Sequence, residues 1–101
     1  MTRPSAVTAR YSHIGICVTD LERSPAFYRN VFGFAEGAAL ELGKELCALA
    51  GMRGQDVHMR SRFMGMGPLL IELLYWDKPL AVGSAQPRPM NQLGLTHLSF
   101  N

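Results

Sequence analysis

Apolar and polar residues alternate along the stretch YSHIGICV at residues 11–18. A period of two with β-branched residues predicts a strand that has one face in a hydrophobic core. The core face of this strand would carry Ser12, Ile14, Ile16 and Val18, and the other face Tyr11, His13, Gly15 and Cys17.

A helix is predicted over residues 24–32. The preceding letters TDLE match a capping box, which would start the helix at once, but Pro25 would then lie inside the helix and clash with a backbone carbonyl. With Ser24 as N-cap and Pro25 as the first helical residue, the conflict disappears, and 20–23 form a turn. Gly33 is expected to end the helix in the left-handed conformation.

Three further strands are predicted: AALEL at 38–42, DVHMRSRFM at 56–64 and LLIELLYW at 69–76. The last strand is so apolar that both of its faces must be covered. KELCALAG at 44–51 is expected to form a short helix ended by Gly51. The stretch after the last strand is rich in Pro, Gly, Ser, Asp and Asn, which is typical of a linker.

The pentapeptide SHIGI at 12–16 returns as THLSF at 96–100: a hydroxyl residue, a histidine, an aliphatic, a small residue and an apolar residue. Such a repeat indicates duplication of one structural unit. We therefore predict an α+β fold, a βαβββ module followed by the first strand of a second, truncated module in one mixed, curved sheet. The expected divisions are a flexible tail (1–10), the first module (11–79), a linker (80–92) and the strand that opens the second module (93–101).

Composition and motif content exclude several classes of protein. The 101 residues form one domain at most, and the ten Lys and Arg residues are scattered, with a net charge of +2, so no basic stripe for nucleic acid exists. Cys17 and Cys47 form no disulfide framework. No apolar run is long enough to span a membrane and the N-terminus lacks a signal-peptide core, so a cytoplasmic protein is expected. Nucleophile-elbow, phosphate-loop and dinucleotide motifs are absent.

Three residues carry the candidate chemistry. His13 and His97 occupy equivalent positions of the repeat, and Glu72 lies within the apolar strand LLIELLYW. A carboxylate there needs a cation, a strong donor or open water, because burying it alone is costly. Two imidazoles and a carboxylate suit a divalent transition metal. Taken singly, a strand histidine such as His13 is more often a satisfied, partly buried side chain than a ligand, and Glu72 could equally lie at the rim of the sheet.

Other polar residues are assigned to simpler roles. His58 shares its predicted face with Arg60 and Arg62, which is unsuitable for a cation, so a solvated strand face is expected there. The two arginines could alternatively meet an anionic substrate group. Cys17 follows His13 on the same face and could be a ligand, but a packed thiol is the favoured interpretation. Tyr75 and Trp76 could line a pocket or simply close the strand.

At this point the chain resembles the vicinal oxygen chelate superfamily, also called glyoxalase/bleomycin-resistance/dioxygenase proteins. The stretches that carry the resemblance are HIGICVTDLERSPAFYRNVFGF (13–34), LLIELLYWDKP (69–79) and GLTHLSFN (94–101). The resemblance implies two βαβββ modules that pair into a cup around a divalent metal, with ligands from the first and fourth strands of each module. By resemblance, His13 and Glu72 fill these positions in the first module and His97 opens the second. The fourth ligand would lie beyond Asn101.

The resemblance further implies an activity. The metal (Zn, Ni, Co, Mn or Fe) would bind two oxygens of a substrate and stabilise an enediolate, with Glu72 as the candidate base. A lyase or isomerase of the glyoxalase or epimerase kind is the first hypothesis. An extradiol-type dioxygenase, a metal-free protein that binds a small ligand as bleomycin-resistance proteins do, and an inert half-module are the alternatives. A homodimer, or another chain that completes the second module, is the expected partner beside a small-molecule substrate.

Overall fold

A computed structural model describes residues 9–84 and 86–101 of the chain. It contains one helix and four strands in the order β1 (Ile14–Cys17), α1 (Arg23–Phe32), β2 (Ala35–Leu42), β3 (His58–Met66) and β4 (Leu69–Lys78). This order confirms the predicted βαβββ module. Most of the expected N-terminal tail lies outside the described residues. No helix in the described ranges is long and apolar enough to cross a membrane.

The four strands form one mixed sheet in the order β1-β4-β3-β2. β1 runs parallel to β4, and the other two pairs are antiparallel. Glu72 lies opposite Gly15 on one neighbouring strand and opposite Phe63 on the other. This register places the acidic residue of β4 in the interior of the sheet, between two strands.

The core lies on the face of the sheet that α1 covers. Phe34, Met64, Ile71 and Leu73 form its centre, each at most 2% exposed. Ile71 and Leu73 alternate with Glu72 along β4, so Glu72 projects from the opposite face. We call this opposite face the Glu72 face, defined by Gly15, Ser61, Phe63 and Glu72.

The start of the helix differs from the prediction. The helix begins at Arg23, and Pro25 is its third residue. Ser24 is not the N-cap; instead the Asp20 carboxylate accepts the backbone N–H groups of Glu22 and Arg23, both at 2.9 Å. Pro25 fits because the N–H groups of the first helical turn have no partner within the helix. At the other end, the left-handed C-cap at Gly33, with φ of 79°, confirms the prediction.

The strand ends and the connection after β2 also differ in detail. β2 begins three residues before the predicted AALEL stretch, because it pairs with β3 from Ala35 onward. The predicted helix over 44–51 is only a 3₁₀ turn at Lys44–Leu46 followed by hydrogen-bonded turns. Gly51, with φ of 71°, lies at the end of this turn segment.

The predicted strand at 93–101 is not formed in the described structure. Its alternation nevertheless persists, because Leu98 and Phe100 pack against the core and the Phe100 ring stacks on Phe32 at 4.3 Å. A cavity of about 490 Å³ is lined by residues of both this segment and β1. A strand needs a neighbour for its backbone hydrogen bonds, and within the described ranges β1 pairs with β4 alone.

Candidate functional site

The centre of the candidate site is a contact between His13 and Glu72. His13 directly precedes β1, and its Nε2 atom lies 3.1 Å from Oε1 of Glu72. The parallel pairing of β1 with β4 brings together these residues, which are 59 positions apart in the sequence. The edge of the His13 ring also packs against Phe63, with 5.0 Å between the ring centroids. Two of the three predicted site residues therefore meet on the Glu72 face.

The other two polar atoms of this pair, Nδ1 of His13 and Oε2 of Glu72, each form a hydrogen bond with a hydroxyl group. The Ser12 hydroxyl lies 2.8 Å from Nδ1 of His13, and the Ser61 hydroxyl donates to Oε2 of Glu72 at 2.7 Å. Ser61 is 1% exposed, so its hydroxyl depends on a protein partner. Nε2 and Oε1 are left facing each other.

Glu72 is well shielded from solvent, with its side chain 13% exposed. The same face of β4 carries Leu70, Leu74 and Trp76, so the neighbours of the carboxylate along this strand are apolar. Two hydrogen-bonding partners, His13 and Ser61, offset the cost of removing it from water. Gly15 lies directly opposite Glu72, and a Cβ atom at this position would already contact Leu74 Cδ1 at 3.4 Å.

His97 reproduces the local arrangement of His13. The Thr96 hydroxyl lies 2.8 Å from Nδ1 of His97, which equals the distance between Ser12 and His13. His97 is exposed and lines the cavity beside β1. Over residues 9–84 and 86–101, no group of three His, Cys, Asp or Glu side chains is close enough to hold a metal ion. The structure thus brings His13 and Glu72 together without the third predicted ligand.

The donor set at His13 and Glu72 fits a divalent cation. Ligand atoms of tetrahedral zinc, at roughly 2.1 Å from the metal, lie about 3.4 Å from one another. The separation of 3.1 Å between Nε2 and Oε1 is close to this spacing. An imidazole nitrogen and a carboxylate oxygen are also the donor types that such metals take.

The surroundings of His58 differ from the prediction of a solvated strand face. Its Nε2 atom lies 2.5 Å from Glu41 Oε1, and its Nδ1 atom lies 2.9 Å from Asp77 Oδ2. Strand pairing brings these groups close, because Glu41 on β2 pairs with Arg60, two residues from His58, and Asp77 lies at the irregularity in β4 between the partners of His58 and Met59. Both ring nitrogens are therefore occupied by carboxylates.

The arginines next to His58 are also engaged in ion pairs. Arg60 donates to both oxygens of Asp77, at 3.0 and 2.8 Å, and this pairing lowers the pKa of Asp77 and raises the pKa of Arg60. Arg62 lies 3.6 Å from Glu36. The alternative in which Arg60 meets an anionic substrate has little support, since Asp77 already binds it, whereas the buried Nε of Arg62 has no hydrogen-bond partner among the described residues. We call His58, Glu41, Arg60 and Asp77 the His58 cluster.

Cys17 and Ser61 complete the comparison with the sequence. Cys17 is an exposed free thiol and not a packed one, because β1 lies at the edge of the sheet. It lines a second cavity of about 490 Å³, shared with Met52 and Trp76. Ser61 was missed as a site residue, although a lone hydroxyl between Met59 and Phe63 on one strand face is a usable signal.

Comparison with known proteins identifies the family of this chain and a solved structure with a similar fold. A family model described as Glyoxalase/Bleomycin resistance protein/Dioxygenase superfamily matches residues 10–99. Among solved structures, the chain is similar to a glyoxalase family protein from Bacillus cereus, with a TM-score of 0.78 and 18% sequence identity. That likeness covers 94% of this chain and 64% of the Bacillus protein, so the chain spans less than two thirds of its length. No curated protein matches significantly. The family model covers nearly all of the chain, and the chain belongs to the glyoxalase/bleomycin resistance protein/dioxygenase superfamily.

Proposed function

We propose that this chain supplies ligands and a base to a metal-dependent lyase or isomerase of the glyoxalase or epimerase type. The observation that supports the proposal is the contact of 3.1 Å between His13 Nε2 and Glu72 Oε1 on the Glu72 face. These two atoms have the spacing of neighbouring metal ligands, and hydroxyls engage the other polar atoms of both side chains.

In this proposal His13, Glu72 and His97 hold a divalent cation. When bound, the cation acts as a Lewis acid that makes a carbon–hydrogen bond next to a carbonyl more acidic. Glu72 is the base that accepts the proton, because it is the carboxylate at the site.

The proposal includes further protein groups beyond His13 and Glu72. Catalytic zinc sites take about three protein ligands, and the described structure brings two together. We propose that His97 joins them together with residues of a second module, supplied by a second copy of this chain or by another chain. Sedimentation of the purified protein with and without metal tests this, and a monomer that nevertheless binds metal through all three residues would contradict the second chain.

Metal analysis after reconstitution tests the function. The purified protein is incubated with zinc, nickel, cobalt, manganese or iron, and bound metal is measured after dialysis. We expect His13→Ala and His97→Ala each to lose the metal. His58→Ala is the matched control and should keep it, because the ring nitrogens of His58 already contact carboxylates.

The result also separates the proposal from its alternatives. Turnover of a methylglyoxal–glutathione adduct with nickel or zinc would support a glyoxalase-type reaction, whereas ring cleavage of catechol with iron would assign an extradiol-type dioxygenase. Wild-type metal content in both His13→Ala and His97→Ala would end the metal proposal. A wild-type protein that binds no metal but does bind a small aromatic or cationic ligand would indicate a binding protein.

A further inference from the structure

We infer that three hydroxyls, those of Ser12, Ser61 and Thr96, are positioning groups that orient His13, Glu72 and His97 toward a shared cation. The inference rests on the proposed function for the cation and for the second chain that completes its site, since His97 does not join His13 and Glu72 within the described residues. The evidence for the hydroxyls is independent, because each of the three candidate ligands has its second polar atom within 2.8 Å of a Ser or Thr oxygen.

The histidine outside the site shows a different pattern. His58 contacts carboxylates through both ring nitrogens, whereas His13 and His97 contact a hydroxyl through Nδ1. The repeat in the sequence carries the same distinction, because the residue before each site histidine is Ser12 or Thr96 and the residue before His58 is Val57. The hydroxyl is therefore associated with the candidate ligands and not with histidine in general.

Hydrogen-bond chemistry explains why a hydroxyl suits this place. A neutral imidazole has one donor and one acceptor nitrogen, whereas a hydroxyl can both donate and accept. An ionised Glu72 can only accept, so without a cation the tautomer that fits both contacts has Nε2–H of His13 donating to Glu72 and Nδ1 accepting from Ser12. When Nε2 presents its lone pair instead, Nδ1–H donates to Ser12. One proton leaves Nε2 to water and one is taken up from water at Nδ1, so the ring can change its tautomer without turning.

Ser61 acts on the carboxylate in a related way. The terminal torsion of a glutamate side chain has a broad preference, so its carboxylate needs a partner to fix it. The buried Ser61 hydroxyl donates to Oε2 and keeps Oε1 directed at His13. Because Ser61 lies on β3, this contact also ties the orientation of Glu72 to the neighbouring strand.

The repeat itself supplies matched variants. Since serine and threonine stand at equivalent positions, Ser12→Thr should preserve the arrangement, whereas Ser12→Ala removes it. Thr96→Val keeps the shape of the side chain and deletes the hydroxyl. Ser61→Cys, with its weakly donating thiol, accompanies Ser61→Ala in case the alanine variant does not fold. Ser84→Ala removes a hydroxyl from the linker and is the control.

Two measurements test the inference. The first is nitrogen NMR of the imidazole rings at fixed pH without metal, which reports whether Nδ1 or Nε2 carries the proton. We expect Ser12→Ala to change the tautomer ratio of His13, and Ser12→Thr to match the wild type. The second is cobalt affinity by equilibrium dialysis, with the visible spectrum of bound cobalt. Ser61→Ala should bind about 10–100-fold more weakly, and Ser12→Ala and Thr96→Val roughly 10-fold more weakly.

The outcomes separate this inference from the proposed function. If wild type binds cobalt and the Ser12, Ser61 and Thr96 variants bind it equally well with unchanged spectra, the hydroxyls have no positioning role. If wild type binds no cobalt but Ser12→Ala alters the His13 tautomer, the orientation of His13 by Ser12 stands and the metal proposal fails. A loss of affinity in Ser84→Ala equal to that in Ser61→Ala would also overturn the inference, because the effect would not depend on position.

Discussion

Two histidine–carboxylate contacts lie on opposite faces of one sheet, and they are built differently. His13 meets Glu72 on the Glu72 face, and hydroxyls occupy the outer atoms of both residues. His58 lies between Glu41 and Asp77, and Arg60 binds the second carboxylate through two hydrogen bonds. The first contact leaves Nε2 of His13 and Oε1 of Glu72, two atoms that could act as ligands to a cation. The second contact already engages both ring nitrogens of His58 and two guanidinium nitrogens of Arg60.

This difference shows what distinguishes a candidate site from a structural ion pair. In the His58 cluster, the polar groups contact one another directly, because Arg60 binds Asp77 and His58 lies between Asp77 and Glu41. At His13 and Glu72, one carboxylate with low exposure faces one imidazole without an arginine or lysine among its hydrogen-bonding partners. Such a carboxylate is costly to keep in apolar surroundings, and a functional role is a reason to keep it.

The largest expected effect is on metal affinity, when the carboxylate of Glu72 or that of Asp77 is replaced by the neutral amide. Glu72→Gln should lower metal affinity by about 100-fold, because a carboxylate ligand becomes an amide that metals bind poorly. Asp77→Asn should leave metal affinity unchanged. Equilibrium dialysis with cobalt compares the two variants with the wild type.

In stability the order of the two variants should be reversed: Asp77→Asn, and not Glu72→Gln, should be the destabilised protein. Without metal, Glu72→Gln should have a urea midpoint equal to or above that of the wild type, because a desolvated charge is removed. Asp77→Asn should have a lower midpoint, because Arg60 and His58 lose their charged partner. A lower midpoint for Glu72→Gln than for Asp77→Asn would contradict the assignment of Glu72 to a functional site and of Asp77 to a structural ion pair.

A smaller effect is expected for Arg60→Gln, and it should depend on pH. Arg60 holds the pKa of Asp77 below its ordinary value of 3.8. A carboxyl group whose pKa is lowered by folding stabilises the protein above its unfolded pKa, and this contribution is lost as the pH falls through the folded pKa. Arg60→Gln should therefore lower the urea midpoint at pH 7 and lose this difference in strongly acidic solution. An equal difference at both pH values would show that packing, not charge, is responsible.

The smallest effect is expected for His58→Gln. The His58 side chain is one third exposed, and its partner Glu41 is two thirds exposed, so solvent weakens their interaction. The loss in unfolding free energy should stay below about 1 kcal/mol, with metal affinity unaffected. Chemical denaturation measures the first quantity and dialysis the second. A loss of metal here would move the candidate site to the other face of the sheet.

Local patterns in the sequence determined the elements and the faces of this protein. Alternation along residues 11–18 and the apolar run at 69–76 predicted β1 and β4, and Gly33 marked the end of the helix, because periodicity and backbone preference are local properties. The chemistry of His13, His97 and Glu72 was also visible as residue types in equivalent or unusual positions.

Tertiary structure decided which side chains meet. Only the strand register brings His13 to Glu72 and Ser61 to the same carboxylate, and only that register encloses His58 between Glu41 and Asp77. Residues 93–101 have the alternation of a strand, yet they form none in the described structure, because a strand requires a hydrogen-bonding neighbour as well as a pattern. Contacts between residues distant in sequence depend on register and pairing, which residue periodicity along a single chain does not encode.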